Sequence, residues 1–152
     1  MYHVIVVGTD GSETAAVAVR HATGLAKLYG ASLHVVHAFQ VVSATSLAVS
    51  GTMPTWVDDL DGVNEEITTT AALVCQRAAE QGRGEGVEVE THALAGDPAD
   101  LLLSVAEDVD ADLIVVGNRG MTGVRRFVLG SVPNQVSHHC PCSLLIVDTS
   151  PA

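Results

Sequence analysis

Two short apolar runs that end in glycine constrain the fold of this chain more than any other sequence feature. Val4–Val7 leads into Gly8, and Leu113–Val116 leads into Gly117. Continuous apolar runs of this length are typical of strands covered on both faces, as in a parallel sheet. A glycine at the end of such a strand lets the backbone turn sharply and approach a bulky group. The chain is therefore expected to build a buried sheet with a closely approachable loop after Gly117.

Strand and helix patterns alternate along the whole chain. The predicted strands are His3–Gly8, Ser32–Ala38, Val87–Leu94, Asp112–Val116 and Cys142–Asp148. The alternation predicts an α/β three-layer sandwich with a mostly parallel five-stranded sheet. A length of 152 residues favours one domain, residues 1–152. Val87–Leu94 alternates apolar and polar residues, so this strand is expected at an edge.

Capping residues mark where the helices begin. Ser12 and Ser131 are predicted N-caps, and Asp97 followed by proline predicts a third helix start. A longer helix is expected from Asp59 until the glycine-rich stretch 82–86. Residues 39–57 have no clear period, and we interpret them as a long variable loop.

Glycines and arginines cluster after the fourth strand. The sequence Gly117-Asn118-Arg119-Gly120 is followed by Gly130-Ser131, and residues 117–139 contain no Asp or Glu. This stretch holds three of the seven Lys and Arg residues of the chain, Arg119, Arg125 and Arg126, although the net charge is −11. Free N–H groups at a helix start beside glycines and arginines favour phosphate binding. The alternative is a glycine-rich surface loop with solvated arginines.

Composition argues against several classes of partner. The net charge of −11, the pI near 4.7 and the 3% aromatic content disfavour nucleic acids and anionic membranes. No apolar run reaches about 18 residues, so no membrane span is expected. Three cysteines, an odd number, fit a reduced cytoplasmic protein better than a disulfide framework.

The motifs, taken in order, resemble those of the universal stress protein family. Val6-Val7-Gly8-Thr9-Asp10-Gly11-Ser12 is similar to the opening signature of that family. Gly117-x2-Gly120-x9-Gly130-Ser131 is similar to the motif of its ATP-binding branch, and Gly96-Asp97-Pro98 and the stretch 111–117 also correspond. The resemblance covers essentially the whole chain. It implies an adenine nucleotide alpha hydrolase-like, Rossmann-like fold with strand order 3-2-1-4-5.

The resemblance also implies a nucleotide site and a role for each residue in it. Thr9 and Asp10 would lie at the crevice, with Asp10 near the ribose or a Mg²⁺ bound to the phosphates, and the backbone of Ala38 would read the adenine. The phosphates would be held by the loop and the helix start, Gly117, Asn118, Arg119, Gly120, Gly130, Ser131 and Val132. Pro133 departs from many members and removes one N–H donor. ATP is the expected ligand, with AMP and cyclic AMP as alternatives.

The expected function is a stress or energy sensor that binds ATP with slow or no hydrolysis. We find a candidate metal ligand in Asp10 and a candidate charge in Arg119, but no group to orient a nucleophile. The resemblance implies a homodimer through the last strand, Ser143–Asp148. A nucleotide-free structural dimer is the rival from another class.

Other chemistry-bearing residues have simpler interpretations. His138-His139-Cys140-Pro141-Cys142 looks like a metal cluster, but adjacent histidines point to different sides of a helix. Ser12 is explained as a helix cap because no nucleophile elbow is present. His34 and His37 are interpreted as packed or surface residues, with His37 a candidate neighbour of the adenine.

Overall fold

The computed structural model describes residues 1–51, 57–119 and 128–150. Its five strands are β1 (Val4–Gly8), β2 (Ser32–Phe39), β3 (Val89–Ala95), β4 (Leu113–Gly117) and β5 (Ser143–Val147). All neighbouring strands are parallel, and their order is β3-β2-β1-β4-β5. The predicted sheet order is confirmed, with the half-exposed strand β3 at one edge.

Five α-helices connect or flank these strands in the described residues. They are α1 (Glu13–Tyr29), α2 (Ala44–Val49), α3 (Leu60–Gly84), α4 (Pro98–Asp108) and α5 (Ser131–His139), with a short 3-10 turn at Val57–Asp59. None of the described helices combines the length and apolarity needed to cross a membrane.

The helices cover the two faces of the sheet with separate apolar clusters. Helices α1 and α3 pack on the face that carries Ile5, Leu33 and Val115. Helices α4 and α5 pack on the opposite face, around Val6 and Ile114. Because β1, β2 and β4 are buried on both faces, their sequences are apolar at successive positions rather than alternating. The carboxyl ends of these strands therefore open at one end of a rigid core.

Three local predictions differ from the structure. Residues 44–49 form the short helix α2 within the predicted loop. A reciprocal capping box between Ser43 and Ser46 stabilises the N-terminal end of this helix. Helix α3 continues through Gly82, which is buried; a Cβ there would lie 2.8 Å from Val89 Cγ2. This glycine therefore serves helix–strand packing, and the helix ends at Gly84.

The third difference concerns the start of α5. The sequence predicts Ser131 as its N-cap, but the N-cap is Gly130, and Ser131 is the first helical residue.

Asp112 joins the start of β1 to the start of β4. Its Oδ2 accepts hydrogen bonds from the backbone N–H groups of His3 (2.6 Å) and Val4 (3.0 Å). These hydrogen bonds lower the pKa of Asp112 below its usual value, and the bond from His3 has the largest effect. The carboxylate thus supports the pairing of the two strands whose far ends border the site described below.

We expect Asp112→Asn to lower stability at neutral pH and to have less effect in acid. Because the folded pKa is depressed, the charged group stabilises the fold fully above the unfolded pKa of about 4, and this contribution is lost as the pH falls through the folded value. Urea unfolding of both proteins at pH 7 and near pH 3 measures the difference. A stability difference that grows in acid would contradict this role.

Candidate functional site

A cleft lies at the carboxyl ends of β1 and β4, where the chain order of the strands reverses. On one side of β1 the sheet continues to β2 and β3, and on the other to β4 and β5. In open α/β sheets this reversal leaves a crevice outside the strand ends. The cleft has a volume of about 290 Å³, close to the lower end of small-molecule sites, about 300–1,000 Å³.

Eight of the ten residues predicted for the site line this cleft. They are Thr9, Asp10, Ala38, Gly117, Arg119, Gly130, Ser131 and Val132. Asn118 is not among the lining residues, and Gly120 lies outside the described residues, as do Arg125 and Arg126. Residues far apart in the sequence are thus brought together by three strand ends and one helix start.

The turn after β1 is ordered by its own side chains. Thr9 Oγ1 accepts a hydrogen bond from Gly11 N–H (3.2 Å), and Asp10 Oδ1 accepts one from Ser12 N–H (2.9 Å). The Ser12 hydroxyl also donates to Asp10 Oδ1 and accepts from Ala15 N–H (3.1 Å), so the predicted cap of α1 is confirmed. Asp10 therefore has one oxygen engaged in the turn and is half-buried at the cleft.

Helix α5 begins at the cleft with N–H groups that no side chain caps. Its N-cap is Gly130, which has no side chain to offer, and the first helical bond runs from Asn134 N–H to Gly130 O (3.1 Å). Pro133 has no N–H, so the amides of Ser131 and Val132 are the donors left at this end. Within the described part of the chain, neither amide has a hydrogen-bond partner.

The other four described α-helices are capped by side chains. Ser12 caps α1, Ser43 caps α2, Asp59 caps α3, and Asp97 accepts hydrogen bonds from Ala99 and Asp100 N–H at the start of α4. Helix α4 also reaches the cleft, through Pro98, but its first amides are already satisfied. The start of α5 therefore lines the cleft without a side-chain cap and is available to an anion, and Arg119 brings a positive charge to the same lining.

Close packing also explains why residues 117 and 130 are glycines. A Cβ at Gly117 would lie 3.0 Å from Thr149 Cγ2, and Thr149 is buried. A Cβ at Gly130 would lie 3.3 Å from the Asn118 carbonyl oxygen, which accepts a hydrogen bond from Gly130 N–H (3.0 Å). Because neither residue has a side chain, the end of β4, the end of β5 and the start of α5 can pack closely against one another.

The side chain of Asn118 contributes to this framework rather than to the cleft lining. Its Oδ1 accepts hydrogen bonds from both Thr149 N–H (3.0 Å) and Thr149 Oγ1 (2.8 Å), and its Nδ2 donates to Asp148 (3.1 Å). Hydrogen bonds, chiefly from Ser150 and then from Asn118, lower the pKa of Asp148. Asn118 therefore connects the loop after β4 to the segment after β5.

The backbone of Ala38 faces the cleft because β1 ends before β2. Thr9 N–H donates to Val36 O (2.9 Å), which is the last backbone bond between these two segments in the described residues. Ala38 lies two positions further and has the same orientation as Val36, so its peptide edge points to the cleft. His37 lies outside the lining, and its Nδ1–H donates to Thr9 O (2.9 Å).

Sequence reasoning missed the apolar part of the lining. These residues are Gly8, Ala15, Val36, Pro98, Leu102, Val116 and Pro133. Gly8 and Pro98 belong to motifs that resemble those of the family, but no local sequence signal predicts that the start of α4 reaches the same cleft. The histidine and cysteine run at residues 138–142 lies elsewhere, and burial raises the pKa of Cys142 to about 11, which keeps its thiol protonated.

Comparison with known proteins decides the family. The model of the universal stress protein family matches residues 1–148. The chain belongs to the universal stress protein family. Universal stress protein YxiE of Bacillus subtilis is 32% identical over 147 residues, which are 97% of this chain and 99% of that protein. The resemblance read from the sequence motifs is confirmed at the level of the family.

Solved structures of other universal stress proteins have the same fold. One, a complex with cAMP, is 29% identical, covers 98% of both chains and has a TM-score of 0.69. Another, from Archaeoglobus fulgidus in complex with dAMP, is 26% identical, covers 97% of this universal stress protein and 98% of its own chain, and has a TM-score of 0.63. Adenine nucleotides therefore bind to structural neighbours of this chain.

Proposed function

We propose that this universal stress protein binds an adenine nucleotide, with ATP as the first candidate, and acts as a stress or energy sensor. The observation that carries the proposal is the uncapped start of α5 beside Arg119 in the cleft. A helix start with free N–H groups attracts phosphate oxygens through both hydrogen bonds and the helix dipole. The cAMP and dAMP complexes of two neighbours support the adenine nucleotide class.

The proposed roles follow the chemistry of the lining. The N–H groups of Ser131 and Val132 bind the phosphate, with Gly117 and Gly130 allowing close approach and Arg119 supplying charge. The peptide edge of Ala38 hydrogen-bonds the adenine, while Val36, Leu102 and Val116 give the base an apolar surface. Asp10 is proposed to accept from the ribose hydroxyls, or to bind Mg²⁺ when the ligand is ATP.

Isothermal titration with ATP, AMP, cyclic AMP and GTP tests this function. We expect saturable binding of at least one adenine nucleotide and weaker binding of GTP, whose base edge carries a different donor and acceptor pattern. Tighter binding of cyclic AMP than of ATP would identify cyclic AMP as the ligand and would still support an adenine nucleotide site. No binding of any adenine nucleotide at about 1 mM would favour the nucleotide-free structural dimer.

We further propose that bound ATP is hydrolysed slowly or not at all. Phosphoryl transfer needs a metal, charge stabilisation and a group that orients the nucleophile. Asp10 and Arg119 supply the first two, and no third group is assigned. Single-turnover hydrolysis of labelled ATP near 1 s⁻¹, the low end of kinase rates, would contradict this proposal.

The proposed assembly is a cytoplasmic homodimer that pairs through β5. This strand forms an edge of the sheet, and Leu144, Leu145 and Ile146 are only half-buried. An open apolar edge strand invites pairing with a second chain. Light scattering should give twice the chain mass of 15.7 kDa, whereas the mass of one chain would contradict the dimer.

A further inference from the structure

A second cluster of chemistry-bearing side chains, none of which lines the cleft, lies on the edge strand β3 and its neighbour β2. His34 of β2 is paired in register with Glu90 of β3, and His92 is two residues further along β3. Alternate residues of a strand share a face, so the three side chains lie on one face of the sheet.

The donor atoms of this cluster converge. His34 Nδ1 lies 3.0 Å from His92 Nε2 and 3.8 Å from Glu90 Oε2, and all three donor atoms lie within 4.8 Å of one another. No other group of three such donors occurs among residues 1–51, 57–119 and 128–150. The histidine and cysteine run at 138–142 therefore forms no such group with the residues that the structure describes.

We propose that His34 Nδ1, His92 Nε2 and the Glu90 carboxylate bind a divalent transition metal such as Zn²⁺. Ligand atoms about 2.0–2.1 Å from zinc in a tetrahedron lie about 3.3 Å apart, between the two separations observed for His34. Two imidazoles and one carboxylate are a common donor set for zinc. The proposal of a metal site does not depend on the nucleotide binding proposed for the cleft.

The surroundings suit a metal with one open position. His34 is buried, and its Nδ1 is the donor atom that faces both His92 and Glu90. The Glu90 side chain is 65% exposed and His92 is half-buried, so water can reach the fourth position. Glu88 and Glu90 supply negative charge towards His34, which compensates the charge of a divalent ion.

Metal binding at this place would join the edge strand to the sheet interior. Strand β3 has β2 as its only neighbour in the described sheet, and the ligands come from both strands. Because a ligand that binds only the folded state stabilises it, the metal is expected to raise the thermal midpoint of unfolding. The alternative is a hydrogen-bonded pair of histidines with no metal role.

Titration of chelator-treated protein with Zn²⁺ and Co²⁺ distinguishes these alternatives. We expect one metal per chain with micromolar or tighter affinity, and visible bands of tetrahedral Co²⁺ without a thiolate charge-transfer band. Loss of an outer-shell partner of a ligand already costs about 10–100-fold in metal affinity. His92→Gln and Glu90→Gln are therefore each expected to weaken binding at least about tenfold.

The matched control is the double variant His138→Gln/His139→Gln, which removes two exposed histidines of α5. It is expected to bind zinc like the unaltered protein. Glu90→Gln changes an exposed side chain, so it keeps the test valid if His92→Gln does not fold. The proposal is overturned if micromolar binding is absent, if it survives both β3 variants, if the control loses it, or if the cobalt spectrum reveals cysteine ligands.

Discussion

Replacing Gly130 by valine should lower the affinity for the adenine nucleotide by about 100-fold or more. A Cβ at this position would already lie 3.3 Å from the Asn118 carbonyl oxygen, and valine adds two methyl groups beside the cleft. The start of α5 must then move, and the amides of Ser131 and Val132 lose their positions. Two hydrogen bonds to a charged phosphate contribute about 3 kcal/mol or more together, which is about 100-fold in affinity.

Isothermal titration of Gly130→Val measures this loss, and Gly24→Val is the matched control. Gly24 lies exposed in α1, and a Cβ there would meet nothing within 4 Å. The same substitution at Gly24 is expected to leave nucleotide affinity unchanged. Gly130→Ala should fall between Gly130→Val and the unaltered protein. Equal nucleotide affinities in Gly130→Val and Gly24→Val would show that the start of α5 does not bind the nucleotide.

Asn118→Ala should lower the free energy of unfolding by about 2 kcal/mol. Asn118 Oδ1 is the acceptor for both the N–H and the hydroxyl of Thr149, which is only 4% exposed. Removing this acceptor leaves buried donors unsatisfied, at a cost of about 1–3 kcal/mol. Chemical denaturation followed by circular dichroism measures the change.

Two further variants separate this mechanism from a general effect of asparagine removal. Asn134→Ala changes an exposed asparagine of α5 and should alter stability by less than about 0.5 kcal/mol. In the double variant Asn118→Ala/Thr149→Val, the hydroxyl donor is also gone, so the total loss should be smaller than the sum of the single losses. Additive losses would mean that Asn118 and Thr149 do not act together.

The fold was largely predictable because its signals are local. Continuous apolar runs such as Val4–Val7 identify strands covered on both faces, and caps such as Ser12 and Asp97 begin helices by a mechanism confined to one turn. Gly82 predicts a helix stop that the structure does not show, because this glycine instead allows close helix–strand packing against Val89. That role depends on a contact with another strand, which the local sequence does not encode.

Of the residues that line the candidate cleft, those at strand ends and the helix start could be predicted from the sequence, whereas most of the apolar ones could not. Thr9, Gly117 and Gly130 stand at strand ends or a helix start, where local chemistry marks them. Leu102 reaches the cleft only because α4 crosses β1 and β2. The pairing of His34 with His92 likewise depends on the register between β2 and β3. Inter-strand register is set by tertiary packing, so neither feature was visible in the sequence.

Backbone amide chemical-shift mapping with ATP and cyclic AMP tests the central claim most directly, because it reports both binding and its location. The account predicts saturable shifts that are largest at Gly117, Ser131, Val132 and Ala38, with the amino-terminal ends of the strands, at the far end of the sheet, unaffected. No saturable shifts with either nucleotide, or shifts confined to residues away from the carboxyl ends of β1 and β4, would contradict it.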